Sequence, residues 1–288
     1  MNLKAKFGLF HYNIGFFDSA NIFSKNIKIQ WMQHKYKDRF FADPFILDVN
    51  NSEIQVLVEE FIYSEWKGRI SLLVIDRQSL QLKSIQVLLN LESHLSFPFI
   101  FRENDELFII PENAESGNLS MYLYDSKAYT LRKVRTILKE PVIDPVILYH
   151  NQKYFLYGSL KDKDTNGSLY GWVAKDLHDI FSPILHAPII TGKLSQARRG
   201  GDFFTVNGQL YSAVQSCVHS YGEALHICNV NILEDGLLQE DIITTLLPTV
   251  EYSYGLHTFN KYQDLCVVDG LTYLFKPLRK IYHILQRS

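Results

Sequence analysis

Two Asp-Pro pairs inside apolar stretches are the first residues of this sequence that could do chemistry. Asp43 lies in Phe41-Ala-Asp-Pro-Phe-Ile-Leu, and Asp144 lies in the similar segment Val142-Ile-Asp-Pro-Val-Ile-Leu. Asp-Pro is also a common turn starter, because Asp bonds to nearby backbone and Pro fixes φ. Either aspartate alone is as well explained by structure as by function, but their recurrence in register favours a functional role.

Further carboxylates follow apolar runs. Glu59 and Glu60 come after Ile54–Val58, and Glu112 comes after Ile109-Ile-Pro. Neighbouring residues of a strand face opposite ways, so one of the two adjacent glutamates must point inward. Like charges in one cavity push their pKa values apart, so that one carboxyl can be an acid while another stays a base. The predicted catalytic residues are Asp43, Glu112 and Asp144.

The segment Gln196-Ala-Arg-Arg-Gly-Gly-Asp202 combines adjacent arginines with two glycines. Guanidinium forks suit phosphate or carboxylate oxygens, which favours binding of an anionic ligand. The alternative is that Arg198 or Arg199 only neutralises the catalytic carboxylates. His257 is either a ligand contact or a core histidine. The predicted substrate contacts are Glu60, Arg198, Arg199, Asp202, Gln215, Tyr221 and His257.

A repeat of about fifty residues must position these side chains. Five similar segments begin near residues 41, 95, 142, 199 and 254, and each is followed by a polar turn and a second apolar run. Aromatic and β-branched runs around Asn/Asp/Gly turns predict β-hairpins. Third apolar runs follow in most units, which is typical of propeller blades.

The repeat therefore predicts an all-β, five-bladed β-propeller, with the N-terminal run Lys28–Gln33 closing the last blade. A sandwich or two stacked barrels could use similar hairpins, but the regular period favours the propeller. First strands of blades line the central channel, so residues far apart in sequence should meet there.

Composition narrows the class of protein. The chain has 288 residues, 47% of them hydrophobic, and a formal net charge of −2, which disfavours nucleic acid as a partner. Three cysteines without CxxC spacing predict neither disulfides nor structural zinc, and no cofactor motif is found. We predict one domain over residues 1–288, and no metal or cofactor.

The two ends of the sequence carry the features that predict where in the cell the protein is located. No signal peptide or membrane-spanning segment is recognised, so we expect a cytoplasmic protein. Residues 275–288 carry Lys276, Arg279, Lys280 and Arg287 among apolar residues at helical spacing. This tail is either a basic amphipathic helix that contacts the inner face of the membrane or a partner, or a helix packed on the domain.

The ordered set of motifs resembles a known propeller domain. That domain forms the N-terminal part of plant glucosamine inositolphosphorylceramide transferases and occurs alone, or fused to formyltransferase-like modules, in bacterial surface-polysaccharide clusters. More remotely, the chain is similar to family-43-type glycoside hydrolases, which set three carboxylates around a central cavity. The motifs are Ala42-Asp-Pro-Phe, Glu59-Glu60, Leu95-Ser-Phe-Pro-Phe, Ile110-Pro-Glu112, Gln196-Ala-Arg-Arg-Gly-Gly, Gln215-Ser-Cys with Tyr221-Gly222, and Gly255-Leu-His-Thr.

The resemblance has two departures. The bacterial pattern usually has proline where this chain has Arg199, which leaves open which arginine faces the ligand. The family-43 acid lies in a later blade than Glu112, so its role does not transfer directly.

The resemblance implies a carbohydrate-active protein. The leading hypothesis is a glycosyl-transferring enzyme of O-antigen-type or capsule-type surface-glycan assembly that uses a nucleotide-sugar or lipid-linked substrate. In it, Asp43 or Asp144 is the general base, Arg198 or Arg199 holds the donor phosphate, and Glu112 and His257 position the sugar. The alternatives are a glycoside hydrolase with paired carboxylates and a non-catalytic glycan-binding module.

Overall fold

The computed structural model describes residues 10–24 and 27–274, and these form five four-stranded antiparallel sheets with two short 3₁₀ helices, Ser19–Asn21 and Ala114–Ser116. The first strands along the chain are β1 (His11–Asp18) and β2 (Gln30–Trp31). Blade 1 comprises β3 (Arg39–Val49), β4 (Glu53–Ile62), β5 (Lys67–Asp76) and β6 (Leu82–Leu89). Blade 2 comprises β7 (Ser96–Glu103), β8 (Glu106–Glu112), β9 (Leu119–Asp125) and β10 (Thr130–Leu138).

Blade 3 comprises β11 (Val142–His150), β12 (Lys153–Leu160), β13 (Tyr170–Ala174) and β14 (Ser182–Pro183). Blade 4 comprises β15 (Phe204–Val206), β16 (Gln209–Ser216), β17 (Ala224–Ile232) and β18 (Leu238–Leu246). Blade 5 joins β19 (Phe259–Tyr262) and β20 (Leu265–Thr272) to β1 and β2. The predicted five-bladed β-propeller is confirmed.

Two-residue turns connect the first and second strands of blades 2, 3 and 4. Asn104-Asp105, Asn151-Gln152 and Asn207-Gly208 have positive φ at both residues. This backbone matches the right-handed twist of the flanking strands, and Asn, Asp and Gly tolerate it best. The turn chemistry of the sequence therefore fixes the pairing of the first and second strands.

The last blade is closed by two N-terminal strands rather than one. β2 lies inside the predicted run Lys28–Gln33, but it pairs with β1, and β1 pairs with β20. The polar residue Asn13 of β1 has its side chain inside the protein. Asn13 Nδ2 donates to Met32 O at 2.9 Å and to Tyr252 Oη at 2.8 Å. β1 is the element that the sequence did not predict.

The innermost strands of blades 1, 2 and 3 share a bulge. Asp43, Phe97 and Asp144 have φ of 50°, 42° and 49°, and the ladder with the second strand slips at each of these points. Non-glycine residues rarely adopt this left-handed conformation, which concentrates where surrounding structure enforces it. The bulge leaves the backbone N–H of each residue free to bond outside its own blade.

Residues 275–288, for which a basic helix was predicted, lie outside the described part of the chain. Within the described part, no helix has the length and apolar character needed to span a membrane.

Candidate functional site

A cavity of about 560 Å³ lies where the five blades meet. Every blade contributes charged or polar side chains to it, as the repeat predicted. Its walls include five of the predicted site residues with carboxylate, guanidinium or imidazole groups, and Tyr221 as well. The carboxyl, imidazole and guanidinium groups that line it belong to Asp43, Glu59, His94, Glu112, Asp144, Arg198 and His257.

Carboxylates tie neighbouring blades together through the bulges. Asp43 N–H donates to Asp269 Oδ2 at 3.0 Å, and Phe97 N–H donates to Asp43 Oδ2 at 3.1 Å. Asp144 N–H donates to Glu112 Oε2, also at 3.1 Å. Each bond joins one blade to the next, so Asp43 and Glu112, which face the cavity, also help to fix the ring.

His257 lies between two carboxylates. Its Nδ1 is 2.5 Å from Asp269 Oδ2, and its Nε2 is 3.6 Å from Asp43 Oδ1. Burial opposes the charged imidazole, but Asp269 and Asp43 outweigh it and raise the pKa of His257 to about 9. The ring stacks on Tyr12, with centroids 4.7 Å apart. His257 is therefore an oriented imidazolium at neutral pH.

Asp43 has a proton affinity suited to a base. Thr258 Oγ1 donates to its Oδ1 at 2.7 Å. Burial raises the pKa of Asp43, His257 opposes that rise, and nearby Asp269 adds to it, giving a value of about 6. At neutral pH, Asp43 is mostly ionised yet still able to take a proton.

Burial favours the neutral form of both Glu112 and Glu59. Burial and then Asp144 raise the pKa of Glu112 to about 8, against the attraction of Arg198. Burial, together with the other carboxylates, raises the pKa of Glu59 well above its usual value. His94 Nε2 is 3.4 Å from Glu59 Oε1, and His94 Nδ1 accepts the N–H of Gly68 at 3.0 Å. The cavity thus combines proton donors with a base.

Arg198 is the arginine that reaches the cavity. Its Nε donates to Asp144 Oδ2 at 2.7 Å, and one Nη donates to Asn166 Oδ1 at 3.1 Å. The guanidinium also lies over the ring of Tyr221, 4.6 Å from its centroid. Asp144 therefore already balances the charge of Arg198, as one of the two interpretations of this motif expected.

Four predicted substrate contacts do not line the cavity, and Glu60, Arg199 and Asp202 are three of them. Glu60 is fully buried and accepts bonds from Arg39, Arg69 and Ser71, so Glu59 is the inward-facing neighbour. Arg199 forms a bidentate pair with Glu240 at 2.7 and 2.8 Å inside blade 4. Asp202 does not line the cavity, and burial raises its pKa to about 7.

Gln215 acts behind the cavity wall. Its Nε2 donates to Asp144 Oδ2 at 2.9 Å and to the carbonyl oxygen of Arg199 at 2.8 Å. This side chain therefore orients Asp144 rather than lining the cavity.

Sequence inspection missed several groups at this site. Tyr12 belongs to the strand that was not predicted, and His94 lies in a connection without strand pattern. Thr258, directly after His257, bonds to Asp43. Asp269 ends the second apolar run of its blade, where Glu59 and Glu112 also lie, and that shared position was the available signal.

Few lone pairs of the carboxylates beside His257 are left to coordinate a metal ion. Atoms of Asp43, His257 and Asp269 lie within 4.8 Å of one another. However, Asp269 Oδ1 accepts the N–H groups of His257 and Thr258, both at 3.0 Å, and its Oδ2 accepts that of Asp43. Those lone pairs are used, so hydrogen bonding accounts for this cluster.

Fold and site together define a five-bladed β-propeller with a buried acid-base cluster at its centre. The chain belongs to the family described as glucosamine inositolphosphorylceramide transferase 1, N-terminal, whose model matches residues 27–260. The resemblance recognised in the motifs is confirmed.

Curated relatives carry the same family name. The chain is 30% identical over 198 residues to glucosamine inositolphosphorylceramide transferase 1 of Arabidopsis thaliana, covering 67% of this chain and 26% of that protein. It is 26% identical over 204 residues to the protein of that name from Oryza sativa subsp. japonica, covering 69% and 27%. The chain thus spans about a quarter of the length of these relatives.

Solved structures show the same fold. The catalytic domain of a GH62 α-L-arabinofuranosidase from Coprinopsis cinerea superposes with a TM-score of 0.58 at 10% identity, covering 84% of this chain and 94% of that one. A GH43 β-xylosidase/α-arabinofuranosidase from a compost metagenome gives 0.55 at 12% identity, covering 85% and 94%. At these identities the likeness concerns architecture alone.

Proposed function

We propose that this protein is a carbohydrate-active enzyme that transfers a glycosyl group in the cavity between its blades. The observation that carries the proposal is the convergence of buried carboxyls, one arginine and two histidines on one cavity to which all five blades contribute. Burying several ionisable groups together is costly, and groups with shifted pKa values that converge on one cleft are typical of functional sites. The names of the curated relatives support a sugar as substrate.

The chemistry assigns different roles to the two aspartates. Asp43 takes the proton of the acceptor hydroxyl as that oxygen bonds to the anomeric carbon. The bond from the anomeric carbon to the leaving oxygen breaks, and neutral Glu112 gives its proton to that oxygen. Asp144 holds the Nε side of Arg198 at the wall, and the Nη groups of the guanidinium donate hydrogen bonds to the oxygens of a phosphate leaving group.

The test offers nucleotide sugars and lipid-linked glycans as donors and acceptors to the full chain. Replacing Asp43 with Asn should lower transfer by about 100-fold or more, the usual contribution of a general base. Asp48→Asn is the matched control, because Asp48 is an exposed carboxyl on the same strand. Full transfer by a folded Asp43→Asn variant would show that another group is the base.

Hydrolysis is the second candidate, because the same acid and base serve when water replaces the acceptor hydroxyl. Release of free sugar without transferred product would identify it. Saturable glycan binding without turnover would instead identify a binding module. A role in surface-glycan assembly in the cytoplasm stays a prediction.

A further inference from the structure

The cavity is chemically asymmetric. Blades 2, 3 and 4 contribute only polar side chains to its lining, and every wholly apolar side chain comes from blades 1 and 5. The polar contributors from these three blades are Ser96, Glu112, Asp144, Arg198, Ser220 and Tyr221, whereas blades 1 and 5 supply both polar and apolar side chains. The apolar contributors are Phe10, Phe40, Phe61 and Leu271, and we call the surface that they form the aromatic wall.

The aromatic wall is a packed surface. Phe40 and Phe61 stack with centroids 4.7 Å apart and planes 4° apart. Phe10 meets Phe40 edge-on at 5.6 Å and Phe61 at 6.0 Å. These contacts fix the rings of all three residues before any ligand arrives, so the wall is preorganised.

We propose that the cavity binds an amphipathic glycoside, with its sugar among the carboxyls and an apolar aglycone on the aromatic wall. The proposal rests on the proposed function for the sugar half only. A second sugar ring fits the wall less well, because phenylalanine and leucine side chains offer its hydroxyls no hydrogen-bond partners. An alkyl or aryl group has no hydrogen bonds to lose there, and it gains by covering the part of the wall that is still exposed, chiefly Phe10.

The wall is tested with a neutral apolar fluorophore, N-phenyl-1-naphthylamine, titrated into the full chain. Phe10 is half-buried at the cavity rim, so Phe10→Ala removes a large part of the wall at low risk to the fold. We expect saturable binding to the native protein and at least about fivefold weaker binding to Phe10→Ala. Phe23→Ala is the matched control, since Phe23 is 41% exposed and packs near Tyr211 outside the cavity.

Competition then links the wall to a glycoside. Among n-alkyl β-D-glucosides, hexyl should displace the fluorophore far better than methyl, by about fourfold for each methylene buried. If Phe10→Ala does not fold, Phe10→Gln, which removes less volume and places a polar amide on the wall, replaces it.

The outcomes separate the two proposals. Fluorophore binding that is unaffected at Phe10, or displacement independent of alkyl length, overturns the aromatic-wall assignment and leaves glycosyl transfer standing. Binding that depends on Phe10, combined with no reaction on any sugar, supports the wall and removes the proposed function.

Discussion

At the scale of single residues, two aspartates in the same repeat position have different chemistry. Asp144 is bound by Arg198 and Gln215 of blade 4, whereas Asp43 meets Thr258 and His257 of blade 5. The partners differ because they come from other blades, where the repeat has diverged. A motif alone therefore could not assign the base.

Glu112 should make the stability of the protein depend on pH. Its pKa rises from 4.5 to about 8 on folding, so the folded state holds the proton more tightly. This contribution is fully present below pH 4.5 and is lost as pH rises through about 8. Glu112→Gln keeps an acceptor for Asp144 N–H. In this variant the unfolding free energy should fall less steeply as pH rises.

Urea unfolding at pH 5 and pH 8 measures this dependence. Glu106→Gln is the control, because Glu106 is exposed at the start of the same strand. Equal pH dependence in the native protein and Glu112→Gln would mean that Glu112 is ionised in the folded state.

At the scale of elements, the sequence predicted hairpins well and side-chain direction poorly. Polar turns such as Asn207-Gly208 predicted where strands reverse, since few residues accept that backbone. Alternation showed only that either Glu59 or Glu60 faces inward. The structure selects Glu59, opposite Ala42 where the bulge begins, and the bulge itself has no clear mark in one sequence.

Gly201 occupies the position of Asp43 and Asp144 in blade 4, and it should be the least replaceable glycine there. Its φ is 149°, and a Cβ would lie 1.8 Å from the carbonyl oxygen of Phe259 in blade 5. Backbone on both sides of this contact must move, so Gly201→Ala should cost about 3 kcal/mol or more.

Thermal or urea unfolding checks this cost. Gly208→Ala is the matched control, because Gly208 has φ of 78° but open space around its Cβ position. It should lose only about 1 kcal/mol, from backbone strain alone. A similar loss in both variants would show that blades 4 and 5 are not in close contact at Gly201.

At the scale of the whole molecule, the ring closes because the first two and the last two strands of the described residues form blade 5 together. β1 inserts between β20 and β2, so the N-terminal strands complete a sheet begun by the last two. The sequence predicted a closing strand because the fifth unit is too short. It could not identify β1, where the side-chain amide of Asn13 donates to a residue as distant as Tyr252.

Asn260 joins three blades and should therefore matter to the whole ring. From blade 5, its Nδ2 donates to Pro44 O of blade 1 at 2.8 Å, and its Oδ1 accepts Asp202 N–H of blade 4 at 2.8 Å. Asn260→Ala leaves both backbone groups unpaired, at about 2 to 4 kcal/mol of unfolding free energy. The exposed control Asn231→Ala should change it by about 0.5 kcal/mol or less. Equal effects in urea unfolding would show that packing alone closes the ring.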